Sequence, residues 1–137
     1  MTRTPVRVRR TGTPTLWGLR LLGAALLAAT AWIHLDLWRD GYRDVDVIGP
    51  AFLLAVVLGS GSAALLLVVP RAVLPWVAAL GALVCGGTLA ALLVSTWVGL
   101  FGFRESTAAA LWWESFWVEA AGALVLAGLA WLASARR

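Results

Sequence analysis

The sequence predicts an all-α, polytopic membrane protein: four transmembrane helices in a bundle, with both termini in the cytoplasm. Three observations predict it. Of the 137 residues, 61% are hydrophobic and 13% charged, whereas soluble domains run near half apolar and a quarter charged. The mean hydropathy is +0.88, and a water-soluble globule of this mass buries too little surface to hide so much apolar side chain. The apolar residues also fall into four runs, each long enough to cross about 30 Å of hydrocarbon at roughly 20 helical residues. None alternates with a period of two, which argues against a membrane β-barrel. A continuous apolar run in lipid satisfies its backbone hydrogen bonds as a helix.

Residues 1–15 are rich in Thr, Pro and Arg, which predicts a disordered basic tail on the cytoplasmic side. Residues 16–137 form a single four-helix domain, with spans at 16–38, 51–69, 75–100 and 107–133. The first run also carries Ala29-Thr30-Ala31, which mimics a signal-peptide cleavage site. It continues through Trp32, Ile33, Leu35, Leu37 and Trp38, so an uncleaved span is expected. Gly41 ends the first helix, Gly49-Pro50 opens the second, and Pro70 closes it. Pro75 sits in the first turn of the third helix. Gly102 follows the third, and Ser106 or Thr107 caps the fourth.

Arginine placement sets the expected orientation. Arg3, Arg7, Arg9, Arg10, Arg20, Arg71, Arg136 and Arg137 fall on one side, and Arg39, Arg43 and Arg104 on the other. Positive residues favour the inner face, so a plasma-membrane protein with both ends inside is expected. The basic residues flank apolar runs, so the high pI carries no expectation of nucleic acid binding. Cys85 is the only cysteine, which excludes an intramolecular disulfide. No cofactor or metal is expected, because one histidine and one cysteine make no ligand set.

Leucine against leucine gains little over leucine against lipid, so close approach and polar contacts decide packing. Ala55, Gly59 and Ala63 on the second span, and Ala82, Gly86 and Ala90 on the third, form small-residue stripes. They predict a tight hairpin of spans two and three. Ser60, Ser62, Thr88, Ser95 and Thr96 are expected to bond to a preceding-turn carbonyl or a neighbouring helix. None has a base nearby in sequence, so no serine nucleophile is expected.

Ionisable residues inside a span are expensive and face the bundle interior or a wet cavity. Arg20 is expected to snorkel to headgroups. Counted from Thr107 at about 1.5 Å per residue, Glu114 lies roughly 10 Å and Glu119 roughly 18 Å into the fourth helix. Glu119 is then near the midplane, where an ionised carboxylate costs several kcal/mol unless paired. The depth of His34 matches that of Glu114, so a contact between those two is geometrically available, and the plainer expectation is a histidine hydrogen-bonded to a carbonyl or water. Among the nine tryptophans, Trp17, Trp38, Trp76, Trp97 and Trp131 fit interfacial belts. Trp32, Trp112, Trp113 and Trp117 gather toward the outer half. An aromatic pocket with acidic groups suits a lipophilic cation or a flat ring such as a quinone. The outer loop 39–48 reads as a short interfacial turn whose aspartates pair with Arg39 and Arg43, and it lacks the spacing of a calcium loop.

The run His34-Leu35-x-Leu37-Trp38-x-x-Gly41-Tyr42-Arg43, followed by Ile48-Gly49-Pro50-x-Phe52-Leu53-Leu54, resembles a group of small four-helix membrane proteins from high-GC Gram-positive bacteria. The likeness covers about a third of the chain, and it implies architecture and no activity. In size and span count the chain is also similar to DoxX-like proteins and small multidrug exporters. The exporters keep their buried glutamate in the first helix, whereas here it is Glu119 in the fourth.

These readings predict a non-enzymatic accessory or interaction subunit of a membrane assembly, with lipid and a larger complex or a second copy as partners. The alternative is a small ligand-binding or proton-coupled transport module. It would use Glu119, with His34, Glu114, Trp113 and Trp117 around an outer pocket. The two differ in one observable: the alternative needs Glu119 to face a cavity, whereas the first permits a dry, hydrogen-bonded Glu119.

Overall fold

The computed structural model describes residues 12–136 and is all-α. Helix α1 runs over Thr13–Arg39, α2 over Ile48–Val68, α3 over Leu74–Trp97 and α4 over Trp112–Ser134, with a single 3-10 turn at Tyr42–Asp44. All four are long and apolar enough to cross a membrane. Most of the expected basic tail, and the expected topology arginines Arg3, Arg7, Arg9, Arg10 and Arg137, lie outside the described residues.

The boundaries depart from expectation for local reasons. Helix α1 begins at Thr13 rather than 16, because Pro14 in its first turn suits the unpaired N-terminal positions. Helix α2 begins three residues before its expected start of 51, after Val47, whose φ is +65°. Its end at Val69–Pro70 is extended, as a residue before proline prefers. Helix α3 stops at Trp97, short of 100, where Gly99 turns back at φ +99°. The largest departure is α4. Ser106 accepts a hydrogen bond from the Ala108 amide, which makes a local turn instead of a helix cap. The helix starts only after Leu111, at φ +58°.

The helices form an antiparallel ring in which each packs on its neighbours in chain order. One end of the bundle carries the 40–47 and 98–111 connections (the loop end). The other carries the 69–73 connection and the starts and stops of α1 and α4 (the terminal end). The α1–α2 and α3–α4 pairs are the most extensive, α1–α4 follows, and α2–α3 is the least engaged of the neighbouring pairs. The fully buried core comprises Leu27 of α1, Leu66 of α2, Leu74, Ala78 and Cys85 of α3, and Leu126 and Leu129 of α4.

Spans two and three are neighbours, as the expected hairpin requires, but the glycines of the two stripes do not meet between them. Ala55, Gly59 and Ala63 are buried, but Gly59 faces α1. A Cβ there would lie 3.2 Å from the Leu27 carbonyl oxygen and 3.3 Å from Ala31 Cβ. On α3, Ala82 and Gly86 are half-buried and Ala90 is exposed, and a Cβ at Gly86 would meet nothing within 4 Å. The close approach of α3 to α4 is made instead at Gly122, where a Cβ would come within 2.6 Å of Cys85 Sγ. A four-residue spacing identifies a small face, but the neighbour is set by which helices the connections allow to touch.

Arg20 also departs from expectation. It is buried rather than snorkelling, with Nε donating to the Leu66 carbonyl at 2.6 Å and Nη2 to the Val69 carbonyl at 2.7 Å. It satisfies carbonyls that the end of α2 leaves without an intrahelical partner. Trp17 stacks beneath it, 4.4 Å from the guanidinium carbon to the ring centroid.

Candidate functional site

The loop-end half of the bundle holds a cavity of about 200 Å³. Its walls follow from helical periodicity. Helix α2 contributes Ile48, Ala51, Phe52 and Ala55, and α3 contributes Gly87, Thr88, Ala91, Leu92 and Ser95. Each set recurs at three or four residues and so shares one face. Helix α4 contributes Trp112, Ser115 and Glu119, again on one face, and α1 contributes His34 and Leu37. The connections close over this space with Tyr42, Phe103 and Glu105.

Glu119 and His34 form the polar side of the cavity. Glu119 is 1% exposed and His34 9%. His34 Nε2 lies 3.9 Å from Glu119 Oε1, and His34 Nδ1 donates to the Thr30 carbonyl at 2.9 Å. Glu119 Oε2 has no hydrogen-bond partner among the described residues. A buried carboxylate oxygen without a partner is rare in folded proteins. Two carboxylates, one imidazole and one phenol line the space, and no arginine does among the described residues.

A clasp spans the two connections. Tyr42 Oη donates to Glu105 Oε2 at 2.6 Å, and the Ser106 amide donates to Glu105 Oε1 at 3.0 Å. The Glu105 amide in turn donates to the Ser95 carbonyl at 2.9 Å, which ties the loop to α3. Tyr42 stacks on Phe52 at 4.9 Å, meets the edge of Phe103 at 5.7 Å, and Phe52 lies 4.9 Å from the His34 ring. Burial, and then the hydrogen bond to Glu105 and the negative charge there, push the Tyr42 phenol above its usual range.

The expected site residues separate into two groups. His34 meets Glu119 and not Glu114. Because α4 starts at Trp112, Glu119 lies about 10 Å from its loop end instead of about 18 Å, while His34 lies about 8 Å from the loop end of α1. Glu114 is exposed, and Trp113 and Trp117 are 54% and 64% exposed, pointing away from the cavity. Trp32 likewise faces outward at 61%. Trp112 is the aromatic residue of that group that turns in, its Nε1 donating to Thr96 Oγ1 at 3.0 Å. Ser60, Thr88, Ser95 and Thr96 bond to carbonyls three or four residues back, as expected, whereas the buried Ser62 hydroxyl has no partner among the described residues.

Sequence reasoning missed Tyr42, Glu105 and Ser115 as cavity residues. For one of them the signal was present: Ser115 stands four residues before Glu119, on its own helical face. For Tyr42 and Glu105, 63 residues apart, nothing local marks the pairing. Among the described residues, no three metal-ligating side chains come together. No protein-family model, curated protein or solved structure matches the chain.

Proposed function

We propose that the chain is a non-enzymatic, multi-pass plasma-membrane protein, both termini cytoplasmic, that binds a small amphiphilic cation in the cavity between its four helices. The four apolar helices and their outward-facing tryptophans and leucines support insertion. Among the described arginines, Arg20, Arg71 and Arg136 belong to the terminal end and Arg39, Arg43 and Arg104 to the loop end. The arginine-rich tail of the sequence adds to the terminal end and supports placing it inside.

The single observation that carries the binding reading is Glu119, buried beside the cavity with Oε2 unpartnered. A glutamate that only locked helices together would be expected to have both oxygens bonded, whereas Oε2 here has no partner among the described residues. A carboxylate held this way favours a positive group as its counter-ion. The aromatic rings of Tyr42, Phe52, Phe103 and Trp112 suit the apolar body of such a ligand, and their faces attract its charge. A cavity of about 200 Å³ is comparable to the roughly 150 Å³ that accommodates benzene elsewhere. It therefore suits one ring with a short chain.

The test uses the full chain in lipid nanodiscs and two probes of equal size, phenethylammonium and hydrocinnamate, followed by calorimetric titration. The cation is expected to bind saturably and at least about tenfold more tightly than the anion, which corresponds to about 1.4 kcal/mol. Glu119→Gln is expected to remove that preference. Equal binding of both probes, no binding of either, or an unchanged Glu119→Gln variant would overturn the proposal.

A further inference from the structure

We infer that the cavity is loaded sideways from the bilayer, through a gap between the loop-end halves of α2 and α3, and that its ligand is a membrane-dissolved amphiphilic amine. The inference rests on the cation-binding reading above and deepens it. Three observations carry it.

The first is the shape of the ring. Of the neighbouring helix pairs, α2 and α3 engage least. Their connection at 69–73 is short, which holds them together at the terminal end and leaves the loop-end halves further from any tether. The second is the rim. Ala51 on α2, and Gly87 and Ala91 on α3, line the cavity and are also exposed on the bundle surface. A Cβ at Gly87 would meet nothing within 4 Å. Small residues at these three positions put little side chain between the cavity and the bundle surface, where a leucine would put more. The third is the destination. Behind this rim stands the buried Glu119, with one oxygen unpartnered and His34 3.9 Å from the other.

On the aqueous side of the loops Ala110 also lines the cavity and is exposed, and beside it stands the clasp. Tyr42 and Glu105 join the two connections at 2.6 Å, and Phe52 and Phe103 pack against the phenol. Entry through the clasp requires breaking a hydrogen bond to a carboxylate and separating stacked rings. Entry between α2 and α3 requires only displacing acyl chains, and an amphiphilic amine already concentrated near the headgroups reaches that depth with its charge leading.

The small-residue face of α3 then has a use other than packing. Gly86, Gly87, Ala90 and Ala91 are half-buried or exposed, and a Cβ added at Gly86 or Gly87 would meet nothing within 4 Å.

The experiment measures uptake of phenethylammonium, and of the more lipid-partitioned N-octylammonium, by the full chain in nanodiscs. Wild type is compared with Gly87→Leu, Ala91→Leu and Tyr42→Phe. The rim variants are expected to slow association at least tenfold for both probes, while Tyr42→Phe, which removes the hydrogen bond of the clasp, does not accelerate it. The rate is also expected to follow the concentration of probe in the lipid rather than in the buffer. If wild type binds and the rim variants match its rate while Tyr42→Phe accelerates entry, the lateral route is wrong and the binding site stands. If wild type binds neither probe, both proposals fall. Should the leucine variants not fold, a nitroxide on Gly87→Cys reads the rim directly, because Cys85 is buried and stays unlabelled. Greater exposure to dissolved oxygen than to a water-soluble nickel chelate supports the lateral opening, and the reverse order overturns it.

Discussion

His34 of α1 presents Nε2 to Glu119 Oε1 of α4 across 3.9 Å, while its Nδ1 is held by the Thr30 carbonyl at 2.9 Å. A carbonyl only accepts, so Nδ1 carries a proton and Nε2 is the nitrogen free to gain or lose one. The separation is longer than a direct hydrogen bond. The two groups therefore interact as charges or through an intervening water. At that separation a charge on one group would favour the opposite charge on the other, since a buried charge without a partner is costly.

That dependence makes the pair measurable by a double-mutant cycle. His34→Gln and Glu119→Gln keep the shapes and remove the titrating groups. Their effects on stability, read from unfolding in mixed detergent micelles, are expected to fall short of additivity by about 1 kcal/mol, within the range of contacting polar pairs. Effects that sum to within about 0.3 kcal/mol would show the two to be independent.

The glycines give a contrast that needs no knowledge of function. A Cβ at Gly49 would stand 2.6 Å from the Arg43 carbonyl oxygen, and one at Gly122 would stand 2.6 Å from Cys85 Sγ. Neither neighbour yields easily, the first being backbone and the second a buried, short side chain. Gly49→Ala and Gly122→Ala are each expected to lower stability by about 1–3 kcal/mol. Gly86→Ala meets nothing and is expected to raise it by up to about 1 kcal/mol through helix propensity. Thermal denaturation in detergent separates the two classes. A stabilising Gly122→Ala or a damaging Gly86→Ala would contradict the packing described here.

Four long helices were readable because their evidence is local: apolar length, and proline and glycine at the ends. The site was only half readable. Glu119 stood out as a carboxylate in an apolar run, and His34 as the single histidine whose bond to a backbone carbonyl was expected and is made to Thr30, yet depth set His34 level with Glu114 and not with Glu119. The difference came from the start of α4. Residues 107–111 look as apolar as a helix turn, but Leu111 adopts φ +58° and Ser106 bonds into a turn. A shift of five residues moves a side chain by about 7.5 Å along the axis and about 140° around it, enough to exchange one glutamate for the other. The pairing of Tyr42 with Glu105, and the facing of Gly59 toward α1, depend on how the helices are arranged in space. No spacing within a segment encodes that.

Arg20 is expected to behave as a helix cap whose geometry matters more than its charge. It bonds two carbonyls, of Leu66 and Val69, through Nε and Nη2, at the end of α2 where a cation is also favoured by the helix dipole. Arg20→Leu is expected to cost about 2 kcal/mol, the scale of hydrogen bonds from a charged group. Arg20→Lys should recover less than half, because an ammonium lacks the planar fork that reaches both oxygens. Equilibrium unfolding of the three proteins tests this, and full recovery by lysine would reduce the residue to a point charge.

Tyr42 allows the clasp to be followed by absorbance, since it is the chain's only tyrosine. Burial first, and then the hydrogen bond to Glu105 with its negative charge, hold the phenol protonated beyond its usual range. Phenolate absorbance near the red edge of the tryptophan band should therefore rise at a pH above the value of about 10 found in free tyrosine. Glu105→Gln removes the charge and should bring the midpoint down toward that value, leaving the part due to burial. The sign of the linked stability follows. A phenol whose folded value is raised contributes fully below about pH 10, and that contribution is lost as the pH climbs toward the folded value. Wild type should accordingly lose stability on going from pH 9 to pH 11, while Tyr42→Phe, weaker at pH 7 by about 1–2 kcal/mol, should lack that step. A wild-type phenol that titrates like free tyrosine would mean that the clasp between the two connections is open in solution.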